Sequence, residues 1–186
     1  MAISTSTRLT YEDYASFPED GRRHEIIGGE HYVVPSPFIR HQAISHRLEY
    51  VLLKYLEQNP VGTLFDAPCD VVLSDLDVVQ PDLIYISKDH ESIITEKNIR
   101  GVPDLLVEII SESTRRTDEI TKRKLYEHAG VREYWVIDPV VDTVKIYRLE
   151  DGRYQREAEI SGETGGMIES PLMPGLRIDV GEVFRD

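Results

Sequence analysis

The stretches VVQPDLIYI (residues 78–86) and PDLLVEIIS (residues 103–111) each carry a carboxylate inside an otherwise apolar segment. Both segments are rich in β-branched residues and predict buried strands. The two acids are Asp82 and Glu108, and a lone buried carboxylate costs several kcal/mol unless a cation or a proton compensates it. Two such acids on successive strands predict a shared compensator, and a divalent metal ion is the simplest one.

The length and composition predict one soluble domain over residues 1–186. The chain has 186 residues, of which 40% are hydrophobic and 30% charged, as in ordinary globular proteins. Its one cysteine, Cys69, excludes an intramolecular disulfide and a thiolate metal cage. The sequence shows neither a signal-peptide core nor an apolar run of the roughly 20 residues that span a bilayer. These features predict a cytoplasmic protein without a membrane partner.

The formal net charge of −13 limits how the protein can bind nucleic acid. Nonspecific binding to phosphates is mostly electrostatic, so this charge argues against a protein that coats nucleic acid nonspecifically. A local basic patch around a metal site remains compatible with this charge, and bound divalent cations would offset part of it.

The pattern of apolar residues predicts one α/β domain with no internal repeat or linker. HEIIGGEHYVVPSP (24–37) reads as a hairpin that turns at Gly28-Gly29. We further expect helices at 8–20, 38–57 and 117–129, strands at 63–66, 69–74, 79–86, 104–111, 133–138, 143–149 and 153–160, and a loop-rich tail at 161–186.

Lys122 lies on the apolar face of the predicted 117–129 helix, together with Leu125 and Tyr126. Lys124 points the other way. A buried lysine near unpaired acids predicts an interaction with them, although Lys122 could also extend along that face to water. Glu108 could form a buried ion pair with Lys122 and serve structure alone.

Asp104 repeats the Pro-Asp dipeptide of Asp82, and each of these acids could simply bind nearby backbone N–H groups. Asp104 lies four residues from Glu108 on one predicted strand, a distance of about 13 Å. This is too far to share a metal ion. Asp82 lies on a different strand, so it is the better partner for Glu108.

Pro81-Asp82, followed after 25 residues by Glu108, resembles the signature of the PD-(D/E)xK nuclease superfamily. Seven ordered segments between Leu9 and Phe184 are similar to the bacterial Uma-type restriction endonuclease family. They are HEIIGGE, the helix from His41, QPDL, PDLLVEIIS, the helix that carries Lys122 and Tyr126, AGVREYWVIDP, and SPLMPGLRIDVGEVF. The chain departs from the superfamily signature at Ile110, where a lysine is expected. Lys122 matches the position to which this family has moved that lysine, and Lys124 is the alternative donor.

The resemblance implies a restriction-endonuclease-like α/β/α core with a mixed central sheet and an N-terminal β-hairpin. It implies that Asp82, Glu108 and the backbone carbonyl of Ile109 hold Mg²⁺ or Mn²⁺. Lys122 would orient or help to deprotonate the attacking water, and a base would need a lowered pKa.

Two further residues are expected as auxiliaries of this site. His41 lies one turn before Ile44 on the inward face of the 38–57 helix and could bind the phosphate or a second metal ion. Glu30, in the hairpin, could be an additional ligand. For either residue, a purely structural or solvated role is the alternative.

The function implied by the resemblance is metal-dependent endonucleolytic hydrolysis of DNA. Two alternatives stay open: a regulatory or protein-interaction module that retains the nuclease fold, and a nuclease whose substrate is RNA or a branched structure. Cleavage of both strands of DNA would require two sites, so a homodimer is a further expectation. No phosphate-binding loop or dinucleotide fingerprint is present, which argues against ATP or nicotinamide chemistry.

Overall fold

The computed structural model describes residues 8–185. The strands are β1 (Arg23–Ile27), β2 (Glu30–Val34), β3 (Gly62–Asp66), β4 (Val71–Ser74), β5 (Asp77–Val79), β6 (Leu83–Ser87), β7 (Ile99–Arg100), β8 (Leu105–Ile109), β9 (Glu133–Asp138), β10 (Thr143–Glu150), β11 (Arg153–Ser161), β12 (Met167–Ser170) and β13 (Met173–Asp179). The helices are α1 (Tyr11–Ala15), α2 (Ile39–Gln58), α3 (Arg123–Ala129) and α4 (Val180–Phe184), with a 3₁₀ helix at Lys88–Ile93 and a π-helical segment at Thr117–Lys122.

A mixed six-stranded sheet with the order β11-β10-β9-β8-β6-β3 forms the centre of the fold. The β8–β9 pair is parallel and the other neighbours are antiparallel. Helix α2 covers one face because Ile44, Leu48 and Leu52 recur at helical spacing and are fully buried against it. On the other face, α3 contributes Tyr126 to a second apolar cluster. The expected α/β fold with a mixed central sheet is confirmed.

A second sheet, with the order β2-β1-β5-β4-β7, contains the N-terminal hairpin. The predicted hairpin is present, and it turns at Gly28 and Gly29, which both have positive φ. The prediction of one strand over residues 79–86 is wrong, because β5 belongs to this sheet and β6 to the central one. The residues between them are Gln80, Pro81 and Asp82. Pro81 has no N–H to donate to a strand ladder, so pairing breaks at this point.

The predicted 117–129 helix is present, but its first part is a π-helical segment that precedes α3. Gly130 ends it in the left-handed conformation, with φ of 93°, as its lack of a side chain allows. Segments of π-helix occur often at functional sites. Here the segment carries both Asp118 and Lys122 on its buried side.

The tail is more ordered than expected. Strands β12 and β13 form an antiparallel hairpin, and α4 follows. Val180, Val183 and Phe184 of α4 are buried in the cluster that α2 forms with the central sheet. In the described part of the chain, no helix is both long and apolar enough to cross a membrane.

Candidate active site

Asp82 and Glu108 face each other across two neighbouring strands. The antiparallel register pairs Leu83 with Val107, so its extension by one residue pairs Asp82 with Glu108. Side chains directly opposite in such a pair project from the same face, with Cβ atoms about 4.5–5.5 Å apart. Asp82 is 6% exposed and Glu108 4% exposed. The structure therefore brings together the two acids that the sequence singled out.

Because strand pairing stops at Pro81, the backbone N–H and C=O groups of Ile109 have no backbone partner on the β6 side. The backbone N–H of Ile109 donates to Oδ2 of Asp82 over 2.8 Å. The extended register places Pro81 opposite Ile109, and a proline has no N–H for the Ile109 carbonyl to accept. The carbonyl expected as a metal ligand thus has no strand partner on the side of β6.

Lys122 lies among three buried carboxylates. Its Nζ atom is 3.0 Å from Glu108 Oε1, 2.9 Å from Glu25 Oε1 and 3.6 Å from Asp118 Oδ1. The hydroxyl of Tyr126 donates to the same Glu108 oxygen over 2.8 Å. Both hydrogen bonds that Glu108 accepts use Oε1, which leaves Oε2 available for another ligand. The superfamily signature expects a lysine where this chain has Ile110. Lys122 instead brings its ammonium group to the site from the π-helical segment.

Both Glu108 and Lys122 have a raised pKa, for different reasons. Burial raises the pKa of Glu108 well above its ordinary value, and Lys122 opposes this increase only in part. Burial also acts to lower the pKa of Lys122, but Glu108, Glu25 and Asp118 outweigh it and raise the pKa well above its ordinary value. Lys122 is therefore a firmly held cation. This contradicts the lowered pKa that a role as base requires, and it favours a role in orientation and charge stabilisation.

Asp82 is held as a carboxylate by a different set of contacts. His41 Nε2 lies 3.2 Å from Oδ2, and Arg23 lies 3.6 Å from Oδ1. Burial acts to raise the pKa of Asp82, but His41, the Ile109 N–H and Arg23 together hold it below its ordinary value. The expected inward orientation of His41 is confirmed, and its observed partner is Asp82.

Glu25 is the member of the site that sequence reasoning missed. It is 1% exposed, bonds to Lys122 and accepts a hydrogen bond of 2.8 Å from the Gln80 backbone. Glu30, which the sequence suggested instead, is exposed at the start of β2, where Tyr32 donates to it. Glu25 precedes Ile26 and Ile27 in a strand, so the criterion that found Asp82 would also have found it.

The residues at this site fit a divalent cation. Glu25, Asp82, Glu108 and Asp118 face the two cations Lys122 and Arg23, which leaves a formal excess of two negative charges. Within residues 8–185, no three His, Cys, Asp or Glu side chains are grouped so as to hold a metal ion by themselves. Two carboxylates with a backbone carbonyl and water match the way Mg²⁺ is usually bound.

Asp82, Glu108 and Lys122 all line one cavity of about 440 Å³. His41 and Gln80 line it as well. In the described part of the chain, His41 Nδ1 and Gln80 Oε1 are buried without a hydrogen-bond partner. Buried polar atoms are normally paired, so these two atoms indicate a site that accommodates further polar groups.

The Uma2 family model, described as "Putative restriction endonuclease", matches residues 11–181. The chain belongs to the Uma2 family. This confirms the predicted family and supports a nuclease role. A solved structure described as a putative nuclease belonging to DUF820, from Anabaena variabilis ATCC 29413, is similar to this Uma2 chain with a TM-score of 0.79 and 20% identity. The similarity covers 95% of this chain and 97% of that chain, and it shows a shared fold. A search of the curated proteins found no match.

The second Pro-Asp dipeptide of this Uma2 chain has a structural arrangement of its own. Asp104 accepts hydrogen bonds from the Ser87 backbone and Arg132, and it lies 2.9 Å from His90 Nδ1. It is 1% exposed and lies at the start of β8, while Glu108 lies near its end. Its partners account for its burial, as the sequence suggested.

Proposed function

We propose that this protein is a metal-dependent nuclease that hydrolyses phosphodiester bonds of DNA. The observation that carries the proposal is the pairing of Asp82 with Glu108 across β6 and β8, beside the buried cation of Lys122. Asp82 and Glu108 match the nuclease signature, and Lys122 matches the position to which the Uma-type family has moved the lysine. Membership of a family described as restriction endonucleases supports the same reaction class.

Asp82, Glu108 and the Ile109 carbonyl would hold Mg²⁺ or Mn²⁺. When bound, such an ion polarises the scissile phosphate and lowers the pKa of a water molecule at the site. The protein keeps the ligands in place beforehand, since the Ile109 N–H fixes Asp82 and Tyr126 fixes Glu108. Such preorganisation lowers the cost of reaching the transition state.

Lys122 would orient the attacking water and stabilise the negative charge that develops on the phosphate. Its ammonium has three donors, of which Glu25 and Glu108 take two. Asp118 Oδ1 lies 3.6 Å away, beyond hydrogen-bond distance, so the third donor would be the one that binds the substrate. His41, next to Asp82 at the edge of the cavity, would donate a hydrogen bond to a phosphate oxygen. Glu25 is a positioning residue, because it contacts Lys122 and the Gln80 backbone.

The test is cleavage of plasmid DNA and labelled oligonucleotides with Mg²⁺, with Mn²⁺ and with EDTA. We expect cleavage that requires the metal ion and is lost in Asp82→Asn, Glu108→Gln and Lys122→Met. Asp104→Asn is the matched control, because it also alters a buried carboxylate of a Pro-Asp dipeptide but leaves the cavity intact. Retention of full activity in Asp82→Asn would refute the proposed site.

A second candidate function is a regulatory module that uses this fold without cleavage. The observation in its favour is that Lys122 is already neutralised by protein carboxylates, as in a structural ion network. No cleavage of DNA or RNA under any metal condition, together with normal folding, would favour this candidate. Homodimer formation stays a prediction, and it can be measured by sedimentation in the same preparations.

A further inference from the structure

A second cavity adjoins the one that contains Glu108 and Lys122. It has a volume of about 380 Å³, beside about 440 Å³ for the first. The two cavities share the wall formed by residues 34–37 and the side chains of Arg23, His41 and Asp82. Asp82 thus lies where the two cavities meet, and a substrate with its phosphate at Asp82 has space on both sides.

The two cavities differ in chemistry. The smaller one is lined by Arg22, Gln42 and His46, which can donate hydrogen bonds to phosphate or to base edges, and also by the acid Asp66. The larger one contains Glu108 and Lys122. A strand that crosses Asp82 would therefore pass from a cavity rich in hydrogen-bond donors into the cavity that holds Glu108 and Lys122.

The depth of the site favours an unpaired strand. Asp82 and Glu108 are almost completely buried, and each cavity has the volume of a site for a small molecule, on the scale of a nucleotide. A base in a duplex is held in its stack and in its pair, so an enzyme that takes a nucleotide into a pocket needs single-stranded or extruded nucleotides.

Phe38 supplies an aromatic surface at the larger cavity. Its side chain is 75% exposed, it lines this cavity, and it lies three residues before His41, which contacts Asp82. Nucleic-acid bases stack on such side chains without sequence preference. At a net charge of −13, phosphate contacts contribute less to binding, so stacking takes a larger share.

We propose that these two cavities bind an unpaired DNA strand, with the scissile phosphate at Asp82 and a neighbouring base stacked on Phe38. This inference rests on the proposed nuclease function and specifies its substrate class. It makes Phe38 a residue for binding and substrate selection, outside the reacting groups.

The experiment is equilibrium binding of labelled oligonucleotides by fluorescence anisotropy in Ca²⁺. The probes are an unpaired DNA strand, the same strand in a duplex, and an unpaired RNA of the same sequence. We expect the unpaired DNA to bind more tightly than the duplex. Phe38→Ala should weaken this binding by roughly 5- to 100-fold, while Phe38→Trp retains it. Ile39→Ala is the matched control, since Ile39 is the next residue, is 89% exposed and should leave the affinity unchanged.

The smaller cavity has its own test in the salt dependence of binding. Arg22→Gln should reduce the slope of log K against log salt by about 0.7, the value for one phosphate contact on a single strand. Arg177→Gln is its control, because Arg177 is similarly exposed and paired with Glu169 on the C-terminal hairpin. Equal effects of the two variants would overturn the assignment of this cavity.

The outcomes separate this inference from the proposed function. Metal-dependent cleavage of duplex DNA that is insensitive to Phe38→Ala would overturn the inference and leave the nuclease proposal intact. Binding of unpaired DNA that depends on Phe38, without any cleavage, would support the inference and contradict catalysis. Binding of unpaired RNA in preference to DNA would overturn the assignment to DNA.

Discussion

The ammonium nitrogen of Lys122 lies 2.9 Å from a carboxylate oxygen of Glu25, which is on β1 of the five-stranded sheet. The same ammonium contacts Glu108 on the central sheet. The candidate site is therefore assembled from both sheets and from the π-helical segment.

Replacing Lys122 with methionine should destabilise the protein by about 3–5 kcal/mol, because it leaves buried carboxylates without their cation. The measurement is urea-induced unfolding at neutral pH. Lys124→Met is the control, since Lys124 is exposed two residues away, and its effect should stay within about 0.5 kcal/mol. Similar losses in both variants would contradict the buried ion network.

Glu25→Gln should lower metal-dependent cleavage by roughly 10- to 100-fold, the usual effect of a residue that orients a metal site. The variant can still accept a hydrogen bond from Lys122, so we expect a change in kcat with little change in KM. Glu30→Gln tests the alternative glutamate of the hairpin, which is exposed, and should have no effect. If Glu30→Gln had the larger effect, the assignment of Glu25 would be wrong.

Mn²⁺ should raise the free energy of unfolding, because it binds the folded site and not the separated carboxylates of the unfolded chain. At a concentration of 100 times the Kd, the expected gain is about 2.7 kcal/mol. Thermal unfolding with and without Mn²⁺ measures it, and calorimetry gives the Kd. Asp82→Asn and Glu108→Gln should abolish the gain, whereas Asp104→Asn should retain it. An equal gain in all four proteins would indicate binding elsewhere.

Asp104 should stabilise the protein in a pH-dependent way. Burial acts to raise the pKa of Asp104, but bonds from Ser87 and Arg132 and the nearby His90 lower it below 3.8. A carboxyl group whose pKa is lowered by folding stabilises the folded state at pH values above its ordinary pKa. This stabilisation is lost as the pH falls through the folded-state pKa. Asp104→Asn should therefore lower the free energy of unfolding by about 1–3 kcal/mol at pH 7, and by less below about pH 4.

Unfolding in urea at both pH values measures this difference. Asp89→Asn is the control, because Asp89 is exposed on the adjacent 3₁₀ helix. A cost for Asp104→Asn that grows as the pH falls would contradict the predicted sign.

Much of the fold could be predicted because its apolar periodicity is strong. Ile44, Leu48 and Leu52 identify α2, and the Gly28-Gly29 turn identifies the hairpin. The split of residues 79–86 could not be predicted from periodicity alone, because apolar residues flank Gln80-Pro81-Asp82 closely on both sides while the chain changes sheets. The sequence does not predict the pairing of β12 with β13, because residues 161–186 lack long apolar runs, although Ile168, Met173 and Ile178 of these strands pack in the core.

The site was predictable where an acid interrupts an apolar strand, as at Asp82 and Glu108. Glu25 meets the same criterion, although Glu30 of the same hairpin is the residue that the sequence suggested as an additional ligand. The face of Lys122 was predicted from an ideal α-helix, although the residue lies in a π-helical segment. The burial of Lys122 was nevertheless correct. The raised pKa of Lys122 could not be predicted from the sequence, because it depends on spatial neighbours such as Glu25, which is distant in the sequence.

The separation of the site over two sheets connects its integrity to the cohesion of the whole molecule. Detachment of β1 from the five-stranded sheet would withdraw Glu25 from Lys122 and Arg23 from Asp82, even while the central sheet stays folded. A partly folded chain, during synthesis or after damage, would carry the acids of β6 and β8 without the geometry to use them. The division between sheets thus makes the proposed site depend on the completed fold.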